Sequence, residues 1–297
     1  MANNIVLAEK YINDPNNFNV VFKRDSLTAL LETERVNFLD AQTIKVPNRK
    51  FNTYELGDYS RADGTTAVEL IETWDTYTLS QDKGETIYLD VMDDEETLGD
   101  GLISRANARN REVVVPSVDK YRFNKLQTVP TASVVGAKII KAAAATPANA
   151  IELVDDAHTY LQENEVPIEG TILFVSPAFK KSMQRSPDIT RTFGTREVNV
   201  GGITTQFDEY NGSLIVTVPT PRLGATTEFI LVNPLSVTAT IKFNESRLVD
   251  GTATTSNLFG NFWKFRLYHD FFISKGQAIK EGSLLVNPGI YVKQIGE

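Results

Sequence analysis

The sequence has no cysteine, two histidines and three methionines, and no apolar run approaches the roughly 20 residues that cross a membrane. The absence of cysteine excludes disulfides, zinc–thiolate sites and thiol nucleophiles. Residues 1–10 lack both a basic start and a long apolar stretch, so they do not resemble a secretory signal. We therefore expect no membrane segment and a chain that suits a reducing cytosol.

What remains is the composition of an ordinary globular protein. Hydrophobic residues make up 41% and charged residues 23% of 297 positions, enough for a large core and two or three subdomains. The formal net charge is −8. Because a protein that grips nucleic acid neutralises phosphates with Lys and Arg, this charge disfavours a DNA-binding regulator. It remains compatible with a container that encloses DNA without binding it tightly.

Candidate catalytic groups are few. His158 and His269 are far apart, and no Gly-x-Ser-x-Gly motif presents a serine nucleophile. His269 falls on the apolar face of its strand, which favours a structural role over a general base. Gly99-Asp100-Gly101 matches a dinucleotide loop only weakly, because acidic residues surround it. The cluster Asp93–Glu96 lacks the spacing of a calcium loop and is better read as a solvated helix start.

Paired carboxylates for glycoside hydrolysis remain an open alternative, since two Asp or Glu residues leave no readable spacing. Apart from that alternative, the sequence predicts no catalytic residue, no cofactor and no metal site.

A projecting hairpin is predicted in the first third of the chain. Residues 57–64 form a polar loop with two glycines. Val68–Leu79 and Thr86–Val91 are two β-rich runs separated by the turn Ser80–Glu85, which predicts that the two runs pair. The alternative to a projecting hairpin is an ordinary hairpin inside a sheet. We predict contacts between copies of the chain at the polar loop and at the hairpin tip, at Tyr59, Arg61, Asp82, Lys83 and Gly84.

A long helix is predicted to follow. Asp93–Glu96 place carboxylates at its positive end, and a helical period of apolar residues runs from Leu98 to Val113. Pro116 is predicted to stop or kink this helix near Val115.

The region from Val129 to about Val232 predicts a compact α/β unit. Thr146-Pro147 and Ser176-Pro177 are typical helix starts. Thr171–Val175 and Leu214–Val218 are apolar strands. Beyond them a long strand is expected, with Trp263, Phe265, Leu267, Phe271 and Ile273 on one face and Lys264, Arg266, Tyr268 and Asp270 on the other.

Several stretches, taken in order along almost the whole chain, resemble the major capsid proteins of tailed phages, which share the Hong Kong ninety-seven-type capsid fold. Glu112–Phe123, at the end of the spine helix of such proteins, is the most specific of them. The others are Ala8–Tyr11 and Lys23–Thr28 in the arm, Trp74–Gly84 in the extended loop, Asp90–Thr97 at the start of the spine helix, Leu173–Pro177 in the axial domain, and Phe265–Ile273 with Gly289–Val292 in the peripheral domain.

The resemblance implies an α+β fold in five parts. These are an N-terminal arm (1–45), an extended-loop β-hairpin (46–91), a spine helix with the first part of the peripheral domain (92–128), an α/β axial domain (129–232) and the second part of the peripheral domain (233–297). Lys, Asn and Glu side chains cross-link some members covalently, but no such trio can be placed in this sequence.

The implied function is a non-enzymatic head protein that self-assembles, as hexamers and pentamers of itself, into an icosahedral shell around phage DNA. The resemblance also implies a portal and, because no large scaffolding segment precedes the arm, a separate scaffolding protein. The location would be the virion, and the host cytoplasm during assembly. Three alternatives stay open: an encapsulin-like bacterial compartment shell, a β-rich phage tail or glycan-binding protein, and a carboxylate-dependent hydrolase.

Overall fold

The structure is a computed structural model that describes residues 26–32, 37–38, 40, 42–51, 59, 61–62, 64, 70–90, 106–107, 109–187, 194–200, 203–250 and 260–296. The predictions for residues 1–25 and for the start of the long helix, including Asp93–Glu96, Leu98, Gly99 and Gly101, lie outside these residues.

Strands outnumber helices in the first half of the described chain. Its elements are a 3₁₀ turn (Ala29–Leu31), β1 (Asn37–Phe38), β2 (Thr43–Phe51), β3 (Leu70–Thr78), β4 (Gln81–Asp90), a π-helical turn (Asn110–Val114) and α1 (Val115–Leu126).

The second half mixes short helices with strands. Its elements are β5 (Gly136–Ala142), α2 (Ala150–Glu163), β6 (Ile172–Val175), α3 (Pro177–Gln184), β7 (Gly194–Val200), β8 (Ile203–Tyr210), β9 (Ser213–Thr217), α4 (Thr220–Leu223), β10 (Thr227–Val232), a 3₁₀ turn (Pro234–Ser236), β11 (Val237–Asp250), β12 (Gly260–Ile273), β13 (Ile279–Glu281) and β14 (Leu284–Ile295). Among the helices of the described ranges, none is long and apolar enough to span a bilayer.

The largest sheet has eight strands in the order β13-β14-β10-β6-β9-β8-β7, with β5 pairing in parallel with β14. Its central strands are buried on both faces. Leu173 and Val175 of β6 pack with α2 and α3, whereas Ile172 and Phe174 face α1. This two-sided burial explains why the central strands read as continuous apolar runs, and it confirms the predicted strands in 171–175 and 214–218.

A second sheet has the order β11-β12-β4, and β11 and β12 are each 14 residues long. Trp263, Phe265 and Leu267 of β12 are buried against Val115 and Val118 of α1. The alternation predicted for this strand is confirmed, with one exception. Asp270, predicted on the exposed face, is 1% exposed.

The predicted hairpin between Val68–Leu79 and Thr86–Val91 is wrong. β3 pairs with β2, from Thr43 opposite Thr78 to Phe51 opposite Leu70, and β4 pairs with β12 instead. The chain changes sheets at Ser80, whose backbone N–H and hydroxyl both donate to the Asp270 carboxylate, at 2.7 and 2.9 Å. Because Asp270 lies 190 residues away in the sequence, local pattern could not reveal this crossing.

Pro116 does not stop the helix. α1 continues through Pro116 to Leu126. The turn before it is π-helical, with the Val115 N–H bonded to the Asn110 carbonyl, five residues back. A proline ring inside a helix collides with the carbonyl four residues before it, and the widened turn accommodates that ring.

Two predicted helix starts have different outcomes. α3 begins as predicted, because the Ser176 hydroxyl accepts the Phe179 N–H at 3.2 Å. α2 begins at Ala150, three residues after the predicted first position at Pro147. The Asn149 side-chain carbonyl accepts the Thr146 N–H and hydroxyl, so residues 146–149 close a turn of their own before the helix.

The last strand also differs from the predicted division of the chain. The predicted division places residues 233–297 in one unit with the long strands, whereas β14 pairs with β10 and β5 in the eight-stranded sheet. Ile290 and Val292 are fully buried in the core of that sheet. The apolar residues of β14 indicate a central strand, whereas the sheet that β14 joins depends on strands more than 50 residues away in the sequence.

Candidate assembly surfaces

The paired strands β2 and β3 are here called the arm, as distinct from the N-terminal arm of residues 1–45. Its two strands are nine residues each, about 30 Å of extended chain. The arm is fixed at its base, where Ile44, Tyr77 and Leu79 are buried against Tyr268 and Phe272. The Tyr77 and Phe272 rings stack at 4.8 Å, and the Leu79 N–H donates to the Gln42 carbonyl at 2.7 Å. The arm is therefore buried at its base and exposed along most of the described part of β3.

The polar side of β3 carries one large apolar residue. Glu72, Thr76 and Thr78 are exposed, and Trp74 among them is 55% exposed. Tryptophan is enriched among residues that dominate binding energy at protein interfaces. The contact residues predicted from the sequence do not include Trp74, although the sequence shows it among polar residues.

The predicted contact residues fall into two groups in different parts of the fold. Tyr59, which is 72% exposed, and Arg61 lie in the connection between β2 and β3, at the far end of the arm. Asp82, Lys83 and Gly84 do not form a hairpin tip, because they lie inside β4 opposite Tyr268, Leu267 and Arg266. All three remain exposed.

Asp82 is engaged within its own sheet. Its carboxylate accepts two hydrogen bonds from the Arg266 guanidinium, at 3.0 and 2.6 Å. The hydrogen bonds from Arg266 hold the pKa of Asp82 below its usual value. Gly84 lies close to the Phe265 carbonyl of β12, where an added Cβ would meet that oxygen at 3.0 Å. Steric fit within the sheet is therefore one reason for glycine at this position.

An apolar groove of about 290 Å³ lies between α1 and the underside of β4 and β12. Val113, Val118 and Tyr121 form one wall, and Phe265 and Leu267 form the floor. Lys83, Gly84 and Glu85 contribute to the lining, and Glu85 forms a 3.1 Å ion pair with Arg109 beside the π-helical turn. Two of the predicted contact residues therefore border a concave surface.

His269 and Asp270 do not form a catalytic dyad. The Asp270 carboxylate accepts hydrogen bonds from Ser80 and from the Tyr121 hydroxyl, at 2.6 Å for the latter. The His269 Nδ1 is buried without a hydrogen-bond partner, and the ring packs edge-on against Tyr121. Burial, reinforced by the positive charge of Arg122, lowers the pKa of His269 to about 4. A neutral histidine that is 3% exposed serves as a packing group.

His158 is buried in the same way at the other sheet. Its Nε2 lies 2.7 Å from the Ser213 hydroxyl, a distance that would suit a base and a nucleophile. Ser213 is fully buried and His158 is 2% exposed, so no substrate reaches the pair. Within the described ranges, no three His, Asp or Glu side chains come close enough together to hold a metal ion.

The neutral His269 predicts a loss of stability in acid. Its folded pKa is about 4, below the ordinary value of 6.5, so between these pH values the unfolded chain takes up a proton that the folded chain does not. As the pH falls from about 6.5 to 4, this residue should therefore remove up to about 3 kcal/mol of unfolding free energy. Urea unfolding of wild type and His269→Phe across this range measures the difference. Parallel pH profiles for the two proteins would contradict the assignment.

No protein-family model matches the chain, and no curated protein sequence matches it. Solved structures do resemble it. The capsid structure of the cyanophage P-SCSP1u matches with a TM-score of 0.59 at 13% identity, covering 90% of this chain and 87% of that one. A structure from Mycobacterium phage Che8 matches with a TM-score of 0.56 at 14% identity, covering 86% and 85%. The SrpI encapsulin of Synechococcus elongatus matches with a TM-score of 0.51 at 13% identity, covering 87% and 83%.

These likenesses extend over most of both chains in each pair. They show that this chain has the Hong Kong ninety-seven-type capsid fold, which confirms the fold class that the sequence predicts.

Proposed function

We propose that this chain is the major capsid protein of a tailed phage, a structural subunit that assembles in many copies into an icosahedral shell. The observation that carries the proposal is a capsid fold over almost the whole chain, combined with an arm whose described shaft is exposed. An exposed Trp74 on a two-stranded arm costs solubility in a free subunit, and it is explained if a second copy covers it.

The proposed role is not enzymatic. The two histidines are buried, and Phe265 and Leu267 form the floor of the groove beside α1. A shell of this kind is stabilised by many moderate interfaces per subunit. Tyr59, Arg61 and Trp74 on the arm, and Asp82, Lys83 and Gly84 on β4, are the residues that we propose at these interfaces.

The proposal also covers the partner proteins and the positions of the two sheets within the shell. The eight-stranded sheet with α2 and α3 would form the axial part around pentamer and hexamer axes, and the sheet β11-β12-β4 with α1 the peripheral part. A scaffolding protein and a portal would be separate chains. DNA would be enclosed but only weakly held, because the net charge is −8. The mature location would be the virion, after assembly in the host cytoplasm.

Assembly itself is the test. We expect the purified chain, expressed alone and with the candidate scaffolding protein of its genome, to form closed particles that negative-stain electron microscopy resolves. The controls are the same preparations dissociated in denaturant. Finding only monomers or dimers under every condition, and in native particles as well, would overturn the proposal.

An encapsulin-like compartment is the second candidate, supported by the likeness to the SrpI encapsulin. The contents of the particle separate the two functions. A shell isolated from its natural source that contains double-stranded DNA and a portal supports the phage head, whereas a protein cargo without DNA supports the compartment.

A further inference from the structure

The segment 26–32, here called the strap, crosses the junction of the two sheets. Leu31 is buried in the core shared by α1, the eight-stranded sheet and β11. Glu32 forms an isolated bridge with Ala239 of β11. The strap thus joins α1 to β11, and through Leu31 it packs in a core that residues of the eight-stranded sheet share.

Asp119 of α1 holds the start of the strap. It is fully buried, and its carboxylate accepts the Ser26 hydroxyl at 2.7 Å and the Leu27 N–H at 3.1 Å. It also accepts the Thr28 hydroxyl at 2.7 Å and the Thr28 N–H at 3.3 Å. Four hydrogen bonds from three consecutive residues close the strap around one carboxylate.

Asp119 also connects the strap to the large sheet. Arg222 of α4, which packs beside that sheet, donates to the second carboxylate oxygen at 3.0 Å. A buried carboxylate is tolerated only when charge and hydrogen bonds compensate it, and here the compensation comes from the strap and from α4. The strap and α4 therefore meet at the Asp119 carboxylate, which accepts hydrogen bonds from both.

Arg122, one helical turn further along α1, holds the other end. It is fully buried and donates to the Thr28 hydroxyl at 3.0 Å and to the Glu32 carboxylate at 3.3 Å. Two opposite charges on the same face of α1 thus hold both ends of a seven-residue segment. Thr28, which is fully buried, contacts both of them.

Resting on the proposed shell function, we infer that the strap, positioned by Asp119 and Arg122, fixes the angle between α1 and the eight-stranded sheet and thereby the curvature of the shell. A small error in the angle within one subunit repeats in every copy, so it appears as a change in particle diameter. A segment with a purely stabilising role would alter melting temperature and yield but leave diameter unchanged.

Thr28→Val is the informative variant, because it keeps the side-chain shape and removes one hydroxyl that both charges share. Thr128→Val is the matched control. Thr128 follows the end of α1, is remote from the strap in the sequence, and its hydroxyl donates to the Lys125 carbonyl. In the free subunit, amide hydrogen exchange at Leu31, whose N–H donates to the Thr28 carbonyl, should accelerate about tenfold in Thr28→Val, because opening the strap costs less once a buried hydrogen bond to a charged group is lost. Exchange at Leu214, whose N–H donates to the Thr171 carbonyl in the large sheet, is the internal reference.

In the assembled state, Thr28→Val should give shells with a broader or shifted diameter distribution by electron microscopy, whereas Thr128→Val should match wild type. Wild-type shells together with an unchanged Thr28→Val diameter would overturn the inference alone. Unaltered exchange at Leu31 would overturn it at the level of the subunit. If wild type forms no shells at all, the proposed function and the curvature role fail together.

Discussion

A subunit whose arm is cut back to its base is expected to fold but not to form shells. Val46 and Asp75 face each other across β2 and β3, so an Asn-Gly turn can join them in place of residues 47–74. The base contacts of Ile44, Tyr77 and Leu79 are retained. The removed strand residues 47–51 and 70–74 pair with each other, and closing the shorter loop changes stability by only about 1 kcal/mol. By contrast, every contact made by the arm in a shell is lost in every copy.

Circular dichroism with a thermal melt measures folding of the trimmed subunit, and particle counts by electron microscopy measure assembly. We expect a near-normal melt and a particle yield lowered at least about a hundredfold, since a loss at each subunit interface is multiplied across the shell. Trp74→Ala is the milder companion variant. Normal shells from the trimmed chain would show that the arm is dispensable, and a collapsed melt would show that it belongs to the folded core.

Asp270→Ala is expected to destabilise the subunit strongly. The Asp270 side chain is buried, since the residue is 1% exposed. Its carboxylate accepts hydrogen bonds from the Ser80 N–H, the Ser80 hydroxyl, the Tyr121 hydroxyl and the N–H of the next residue, Phe271. Removing it leaves several buried donors without an acceptor, which should cost about 3 kcal/mol or more. The substitution also removes both hydrogen bonds that hold Ser80, which lies between β3 and β4.

Asp82→Ala is the matched control for Asp270→Ala. It makes the same chemical change on β4, opposite Tyr268, at an exposed ion pair with Arg266. Surface pairs of this kind contribute little, so its urea midpoint should stay close to that of wild type. Equal losses for the two variants would mean that Asp270 is not the junction that holds β3 and β4 in separate sheets.

The sequence by itself determined the elements whose signal is local. The alternation of large apolar and charged residues over 263–267 specified a strand with one buried face. The apolar run 171–175 specified a strand buried on both faces, and Ser176-Pro177 specified a helix start. It also determined the likeness to capsid proteins, because short stretches in a fixed order carry that information without any knowledge of contacts. The fold class followed from that order.

Only the tertiary structure decided which strands pair. β3 and β4 are neighbours in sequence, yet they join different sheets, and the Asp270 carboxylate of β12 binds Ser80, one of the two residues between them. β14 joins β5 and β10 across more than 50 residues. The strap depends on bonds between positions about 90 residues apart, such as Thr28 with Asp119. Periodicity fixes which face of a strand is apolar, but pairing and buried charge compensation arise from groups that meet only after the chain has folded.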